Sequence, residues 1–252
     1  MRDPENRHRS IYLLPNAFTT AALFAGFYAV VQAMNGRFET AAIAIFVALV
    51  LDGMDGRVAR LTNTQSAFGE QYDSLSDMTS FGVAPALVMY EWVLHDLGRW
   101  GWLAAFVYVA GAALRLARFN TNIAVIDKRY FQGLPSPAAA ALVAGFVWLA
   151  IDNKLPLQDT AMAWVAFGLT MYAGISMVSN ASFFSGKSFA LGRSVPFWGI
   201  LLVVAVFVFV SSDPPVVLFG LFVLYGISGW IVMVWRWNRA RRFQKDRRTG
   251  IE

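Results

Sequence analysis

The sequence predicts an all-α fold: a polytopic membrane helical bundle of about eight transmembrane helices, preceded by an N-terminal interfacial helix. Three observations carry this. The 252 residues are 57% hydrophobic and 15% charged, with a mean hydropathy of +0.50, far from the composition of soluble domains. Apolar stretches recur along the whole chain, each long enough to cross a ~30 Å hydrocarbon core as roughly 20 residues of helix. Nothing between them is long enough for a soluble domain.

The elements follow in order. Residues 1–16 mix Arg2, Asp3, Glu5, Arg7 and Arg9 and lack a small-residue cleavage pattern, so they do not read as a secretory signal and are expected to persist. The apolar run Ile11–Leu14, stopped by Pro15, reads as an interfacial helix leading into the first span. Spans are expected at 17–34, 38–58, 75–95, 101–119, 137–152, 160–178, 195–211 and 215–235. Outer connections are short and carry turn chemistry, at Asn35-Gly36, Asp96-Leu97-Gly98, Asp152-Asn153 and Ser211 to Pro215. The inner connections are longer and more polar. With no internal repeat or low-complexity tract, the chain reads as a single domain over 1–252, its cytoplasmic interfacial segment at 1–16 and a basic tail at 236–252.

Basic residues set the orientation. With the N-terminus in the cytoplasm, 18 of the 21 lysines and arginines fall on the inner side, leaving Arg37, Arg99 and Lys154 outside. Both termini are then cytoplasmic, in a bacterial-type inner membrane. Trp235 and Trp237 suit the interface and the tail suits anionic headgroups. This distribution accounts for the net charge of +5 without nucleic acid. The absence of cysteine excludes disulfides, thiol catalysis and thiolate metal sites.

The chemistry concentrates at the cytoplasmic end of the second and third spans. The second closes Asp52-Gly53-Met54-Asp55-Gly56-Arg57-Val58-Ala59-Arg60, and after a polar bend the third opens Gly69-Glu70-Gln71-Tyr72-Asp73-Ser74-Leu75-Ser76-Asp77. A charge at the bilayer centre costs roughly 2.5–3.5 kcal/mol, and less toward the edge. Asp52 and Asp55 are three apart and Asp73 and Asp77 four apart, so each pair shares a helix face. The bend is expected to make the two helices antiparallel neighbours, their carboxylates converging in one cavity. Asp52 and Asp55 are also expected near the negative end of their helix, where the dipole disfavours them. Divalent cations would relieve this repulsion, and an all-oxygen cluster suits Mg²⁺ or Mn²⁺. Two such ions suit phosphoryl chemistry. Gly53, Gly56, Ala59 and Gly69 keep the helix surfaces low enough for a nucleotide, and Arg60 is placed to meet a phosphate. Aspartates paired with Arg57 and Arg60, or a cation transporter using the acids as a transport site, are the competing readings.

These residues resemble the CDP-alcohol phosphotransferase signature, D-x2-D-G-x2-A-R-x8-G-x3-D-x3-D, with every spacing kept across 26 residues. Eight fixed positions, each matched by chance at roughly 5–10%, make the pattern specific. The resemblance implies Asp52, Asp55 and Asp73 as metal ligands, with Asp77 binding the second metal or acting as general base toward the acceptor hydroxyl. It implies that Gly56, Ala59, Arg60 and Gly69 line the site for CDP-diacylglycerol, and that the enzyme is a homodimer opening to the cytoplasmic leaflet. Pro15-Asn16-x-x-Thr19 is similar to a family element near the nucleotide, and equally to an ordinary helix start.

Two further segments bear on the acceptor. Leu114-Arg115-Leu116-Ala117-Arg118-Phe119-Asn120 and Phe131-Gln132-Gly133-Leu134-Pro135-Ser136-Pro137 resemble segments of the membrane-embedded phosphatidylserine synthases, the eight-span group within that family. The resemblance implies L-serine as acceptor; glycerol 3-phosphate, inositol phosphate and choline are the alternatives. Arg115 and Arg118 share a face and suit a diphosphate or a carboxylate, or serve as snorkelling anchors. Residues 133–137 suit a rigid entry to the fifth span as well as direct contact. Lys128 and Arg129 read as surface charge.

Overall fold

The computed structural model describes residues 4–62, 64–121, 130–152, 159–184 and 197–249. Lys128, Arg129, Lys154, Lys187 and Arg193 lie outside these, as do the side chains of the expected interfacial segment before Pro15.

Helix α1 runs Pro4–Met34 and α2 runs Phe38–Thr62. The third span is composite: α3 (Ala67–Asp77), a π-helical turn (Met78–Val83) and α4 (Ala84–Trp92). After a 3₁₀ turn come α5 (Arg99–Thr121), α6 (Ser136–Ile151), α7 (Asp159–Val178), α8 (Phe197–Ser212) and α9 (Pro214–Thr249). Four stretches meet the length and hydropathy of a membrane span on their own, at Pro15–Met34, Arg99–Thr121, Thr160–Val178 and Pro214–Trp237. The protein is an all-α integral-membrane bundle.

Three expectations are corrected. Pro15 does not stop a separate interfacial helix: α1 is continuous through it, as membrane helices tolerate proline where neighbouring groups compensate the backbone. Helix α2 continues to Thr62, so Asp52 and Asp55 stand at least a full turn inside it. The dipole acts within the last turn, so desolvation and mutual repulsion, not the helix end, make these carboxylates costly. Nor are α2 and α3 simple antiparallel neighbours. Helix α1 packs along α2 and also against α3, the π turn and α4, so α3 leans chiefly on α1.

The core centres on α6, which packs against α2, α4, α7 and α9. Its run Ala138 to Ala141, with Val143, Ala144 and Gly145, is buried on nearly all sides. Small residues let backbones approach where lipid offers no hydrophobic gain on association. Helices α5 and α7 cross closely, so that a Cβ on Gly111 would fall 2.4 Å from the Gly174 carbonyl oxygen.

A small β element interrupts the helical pattern. Strand β1 (Tyr130–Gln132) pairs antiparallel with β2 (Ser182–Phe184), Phe131 opposite Phe183. It ties the connection before α6 to the one after α7.

Candidate active site

The site is built where α1, α2 and α3 meet. Ser66 caps α3, its Oγ accepting from the Gly69 N–H at 3.0 Å, which fixes where the helix carrying Asp73 and Asp77 begins. The π turn follows directly after Asp77. Such turns are frequent at functional sites, and here Tyr108 donates its hydroxyl to the Phe81 carbonyl at 3.0 Å. Ser76 and Ser80 donate to the carbonyls of Thr19 and Ala22, both at 3.1 Å, stitching this segment to α1.

These contacts bring the four carboxylates together. Ligand oxygens of Asp52, Asp55 and Asp73 all lie within 4.8 Å of one another. Asp77 stands against Asp52, and Asp55 against Asp73. Asp55 is buried at 5% exposure and accepts from Thr19 Oγ1 at 2.7 Å. Among the described residues the one ion pair within 4.0 Å is His95–Asp96, so none of the four carboxylates is neutralised by a salt bridge. Pairing with Arg57 and Arg60, the competing reading, does not occur. Asp73 Oδ1 is buried with no hydrogen-bond partner.

Metal ions fit this arrangement. Hard cations take oxygen ligands at about 2.0–2.6 Å, and two carboxylate oxygens sharing one ion sit on opposite or adjacent sides of it, the separation seen here. An orphaned buried carboxylate oxygen is the donor that an ion would satisfy.

Beside the cluster opens a cleft of about 210 Å³ lined by Pro15, Asn16, Thr19, Asp55, Gly56, Ala59, Arg60, Thr64, Gln65, Ser66, Gly69, Glu70 and Asp73. Asn16, Thr19, Gly56, Ala59, Arg60 and Gly69, expected at the nucleotide, all line it, whereas Gly53 does not. A Cβ on Gly69 would sit tightly against Ser66 Oγ at 3.2 Å and in ordinary contact with Asn16 Oδ1 at 3.5 Å. The open face of Gly56 is roofed by Arg60, whose Nη1 lies 3.6 Å from where a Cβ would be. Thr64, Gln65, Ser66 and Glu70 were not singled out from the sequence. Ser66 alone carried a signal, as a serine preceding a helix.

Arg115 and Arg118 are not in this cleft. Arg115 approaches from α5, with Asp77, Tyr225, Asp52 and Tyr108 as its electrostatic neighbours. Ser74 and Asn120 hydrogen-bond across to join α3 to the end of α5, with Asn120 Nδ2 donating at 3.1 Å. Arg118 Nη1 is buried without a hydrogen-bond partner among the described residues. The carboxylates thus have the cleft on one side, with Asp55 and Asp73 in its lining, and Arg115 near Asp77 and Asp52.

A membrane bundle with four clustered carboxylates, three of them placed to hold a metal ion, beside a small cleft fits a transferase acting on lipid phosphates. Residues 12–172 match the CDP-alcohol phosphatidyltransferase family, and the chain belongs to it. It is 36% identical over 230 residues to a CDP-diacylglycerol–serine O-phosphatidyltransferase of Helicobacter pylori (strain J99 / ATCC 700824), covering 89% of this chain and 93% of the relative. A protein of the same description from Mycobacterium tuberculosis (strain ATCC 25618 / H37Rv) is 37% identical over 57% of this chain and 51% of its own length. One from Saccharomyces cerevisiae (strain ATCC 204508 / S288c) is 37% identical over 52% and 53% respectively.

Proposed function

We propose that this protein transfers the phosphatidyl group of CDP-diacylglycerol to the hydroxyl of L-serine, giving phosphatidylserine and CMP. The observation that carries the reading is the gathering of the motif residues at one cleft, in a chain alike over nearly its whole length to a serine O-phosphatidyltransferase.

The residues divide the work. Asn16, Thr19, Gly56, Ala59, Arg60 and Gly69 hold the cytidine diphosphate of the lipid, Arg60 meeting phosphate oxygens. Asp52, Asp55 and Asp73, with Asp77, would hold two divalent ions, Mg²⁺ or Mn²⁺, which when bound neutralise the diphosphate and stabilise the attacking and leaving oxygens. Thr19 orients Asp55 through its hydroxyl. Asp77 accepts the proton of the acceptor hydroxyl. The freed oxygen bonds to the phosphorus bearing diacylglycerol, the phosphorus–oxygen bond to CMP breaks, and CMP leaves with the electron pair. Arg115 and Arg118 take the anionic group of the acceptor.

The same proposal has eight spans, both termini and the site on the cytoplasmic side of a bacterial-type inner membrane, and a homodimer. Helical segments at each of the eight expected stretches and the distribution of arginine and lysine support the span count and orientation. The homodimer rests on the family resemblance.

The test is CMP release from CDP-diacylglycerol by purified protein in detergent with Mn²⁺ or Mg²⁺, adding L-serine, glycerol 3-phosphate, inositol phosphate or choline separately. Release that requires L-serine supports the reading. Release with another acceptor keeps the chemistry and overturns the substrate, and no release under any condition points to the cation transporter.

A further inference from the structure

The Arg115 guanidinium shares its surroundings with Asp77 and Asp52, yet among the described residues no carboxylate oxygen lies within 4.0 Å of it. A guanidinium beside two buried carboxylates is strongly drawn into a bidentate pair with one of them. Here its Nη1 donates instead to Ser136 Oγ at 2.5 Å.

Ser136 is fully buried and opens α6, where the preceding backbone is held from several sides. The Gly133 N–H donates to the Ala181 carbonyl and the Leu134 N–H to the Ser176 carbonyl, both at 2.9 Å. Gly133 has φ +79°, and a Cβ there would fall 2.2 Å from the Met177 carbonyl oxygen. The β1–β2 ribbon ends immediately before Gly133, and the Trp230 indole donates to Ser176 Oγ at 3.3 Å. Two residues beyond Leu134, the hydroxyl therefore sits on backbone anchored to α7, and through Ser176 to α9.

From this geometry we propose that Ser136 is a positioning residue: its hydroxyl holds the Arg115 guanidinium beside Asp77 but off it, leaving room between them for the acceptor. The inference rests on the transferase reading above. With Ser136 in place, Asp77 stays free to take the acceptor's proton and Arg115 stays free for its anionic group. Without it, the guanidinium swings onto Asp77, which both removes the cation from the acceptor and fills the acceptor's place. The nucleotide cleft, on the other flank, is unaffected.

The experiment compares Ser136→Ala, Ser136→Cys and Ser136→Thr with the unaltered protein in detergent micelles with Mn²⁺, varying L-serine and CDP-diacylglycerol independently and recording melting temperature. Losing a hydrogen bond to a charged group corresponds to about a tenfold effect or more. Ser136→Ala is expected to raise KM for L-serine about tenfold or more while KM for CDP-diacylglycerol stays within twofold. Ser136→Cys, which keeps the volume but is a weak acceptor, is expected to follow the alanine variant, and Ser136→Thr to recover most of the serine affinity. A purely structural role would lower the melting temperature and shift both constants together, or let the cysteine variant behave like the unaltered protein; either result overturns the proposal. Unaltered protein that releases no CMP with any acceptor would refute the transferase reading itself, and that failure is distinct from equal KM values among active variants, which refutes Ser136 alone.

Discussion

Replacing Gly26 with alanine tests whether the site depends on how closely α1 meets the π turn. An added Cβ would fall 2.5 Å from Ser80 Oγ and 2.7 Å from Ser80 Cα. The hydroxyl can rotate away, but the Cα belongs to backbone already committed to the π turn. Carbon atoms rest about 3.5–4.0 Å apart, so the two elements must separate by about 1 Å. Overpacking of this kind costs about 1–3 kcal/mol. Losing the Ser76 and Ser80 bonds to α1 adds about 1 kcal/mol each. Thr19, which orients Asp55, lies on α1 two turns before Gly26, whereas Asp73 and Asp77 lie on the element being pushed away. Misplacement by about 1 Å can cost around a hundredfold in rate. CMP release at saturating substrates by Gly26→Ala is therefore expected to fall about a hundredfold, with a lower melting temperature. Gly168→Ala, where a Cβ would meet nothing within 4 Å, serves as control and should stay near the unaltered rate. Activity of Gly26→Ala within threefold of the control would refute the claim that this contact sets the carboxylate geometry.

Further substitutions separate the parts of the site. Thr19→Val removes the 2.7 Å hydrogen bond to Asp55; losing a bond to a charged group costs about 1.5–3 kcal/mol, so half-maximal activity should require at least tenfold more Mn²⁺, read from a metal titration. Arg60→Gln is expected to raise KM for CDP-diacylglycerol about tenfold while leaving KM for L-serine unchanged, since Arg60 lines the cleft proposed for the nucleotide. Gly133→Ala combines a positive φ with the overlap on Met177 and should cost more than about 1 kcal/mol, seen as a lower melting temperature and a raised KM for L-serine. Asp77→Asn should abolish turnover yet retain CDP-diacylglycerol binding, measured by equilibrium binding of the labelled lipid.

The legible parts of this protein were those written in local spacing. Apolar runs marked the helices because a span must be continuous to satisfy its own backbone. The intervals between Asp52 and Asp55 and between Asp73 and Asp77 foretold shared faces, and Asn16 and Arg60 do reach one cleft. What stayed hidden depends on partners distant in sequence. The π turn after Asp77 has its Phe81 carbonyl bonded by the Tyr108 hydroxyl from the next span, a partner no local pattern reveals. The β1–β2 ribbon joins segments some fifty residues apart, each only three residues long and too short to show alternation. Ser136 looked like part of a rigid entry to its span because nothing local reveals that a guanidinium 21 residues earlier rests on it. That α3 leans chiefly on α1 was hidden for the same reason: the polar bend suggests that α2 and α3 are neighbours, and only packing shows that α1 supports both.

The central claim is that Asp52, Asp55, Asp73 and Asp77 form a divalent-metal centre for phosphatidyl transfer. It is tested most directly by stripping the purified protein with a chelator and measuring CMP release from CDP-diacylglycerol and L-serine before and after adding Mn²⁺, for the unaltered chain and for Asp73→Asn. The account predicts no release after chelation, full recovery with Mn²⁺ in the unaltered chain, and none in the variant at the same concentration. Release that persists without divalent metal, or that Asp73→Asn recovers as readily as the unaltered chain, would contradict it.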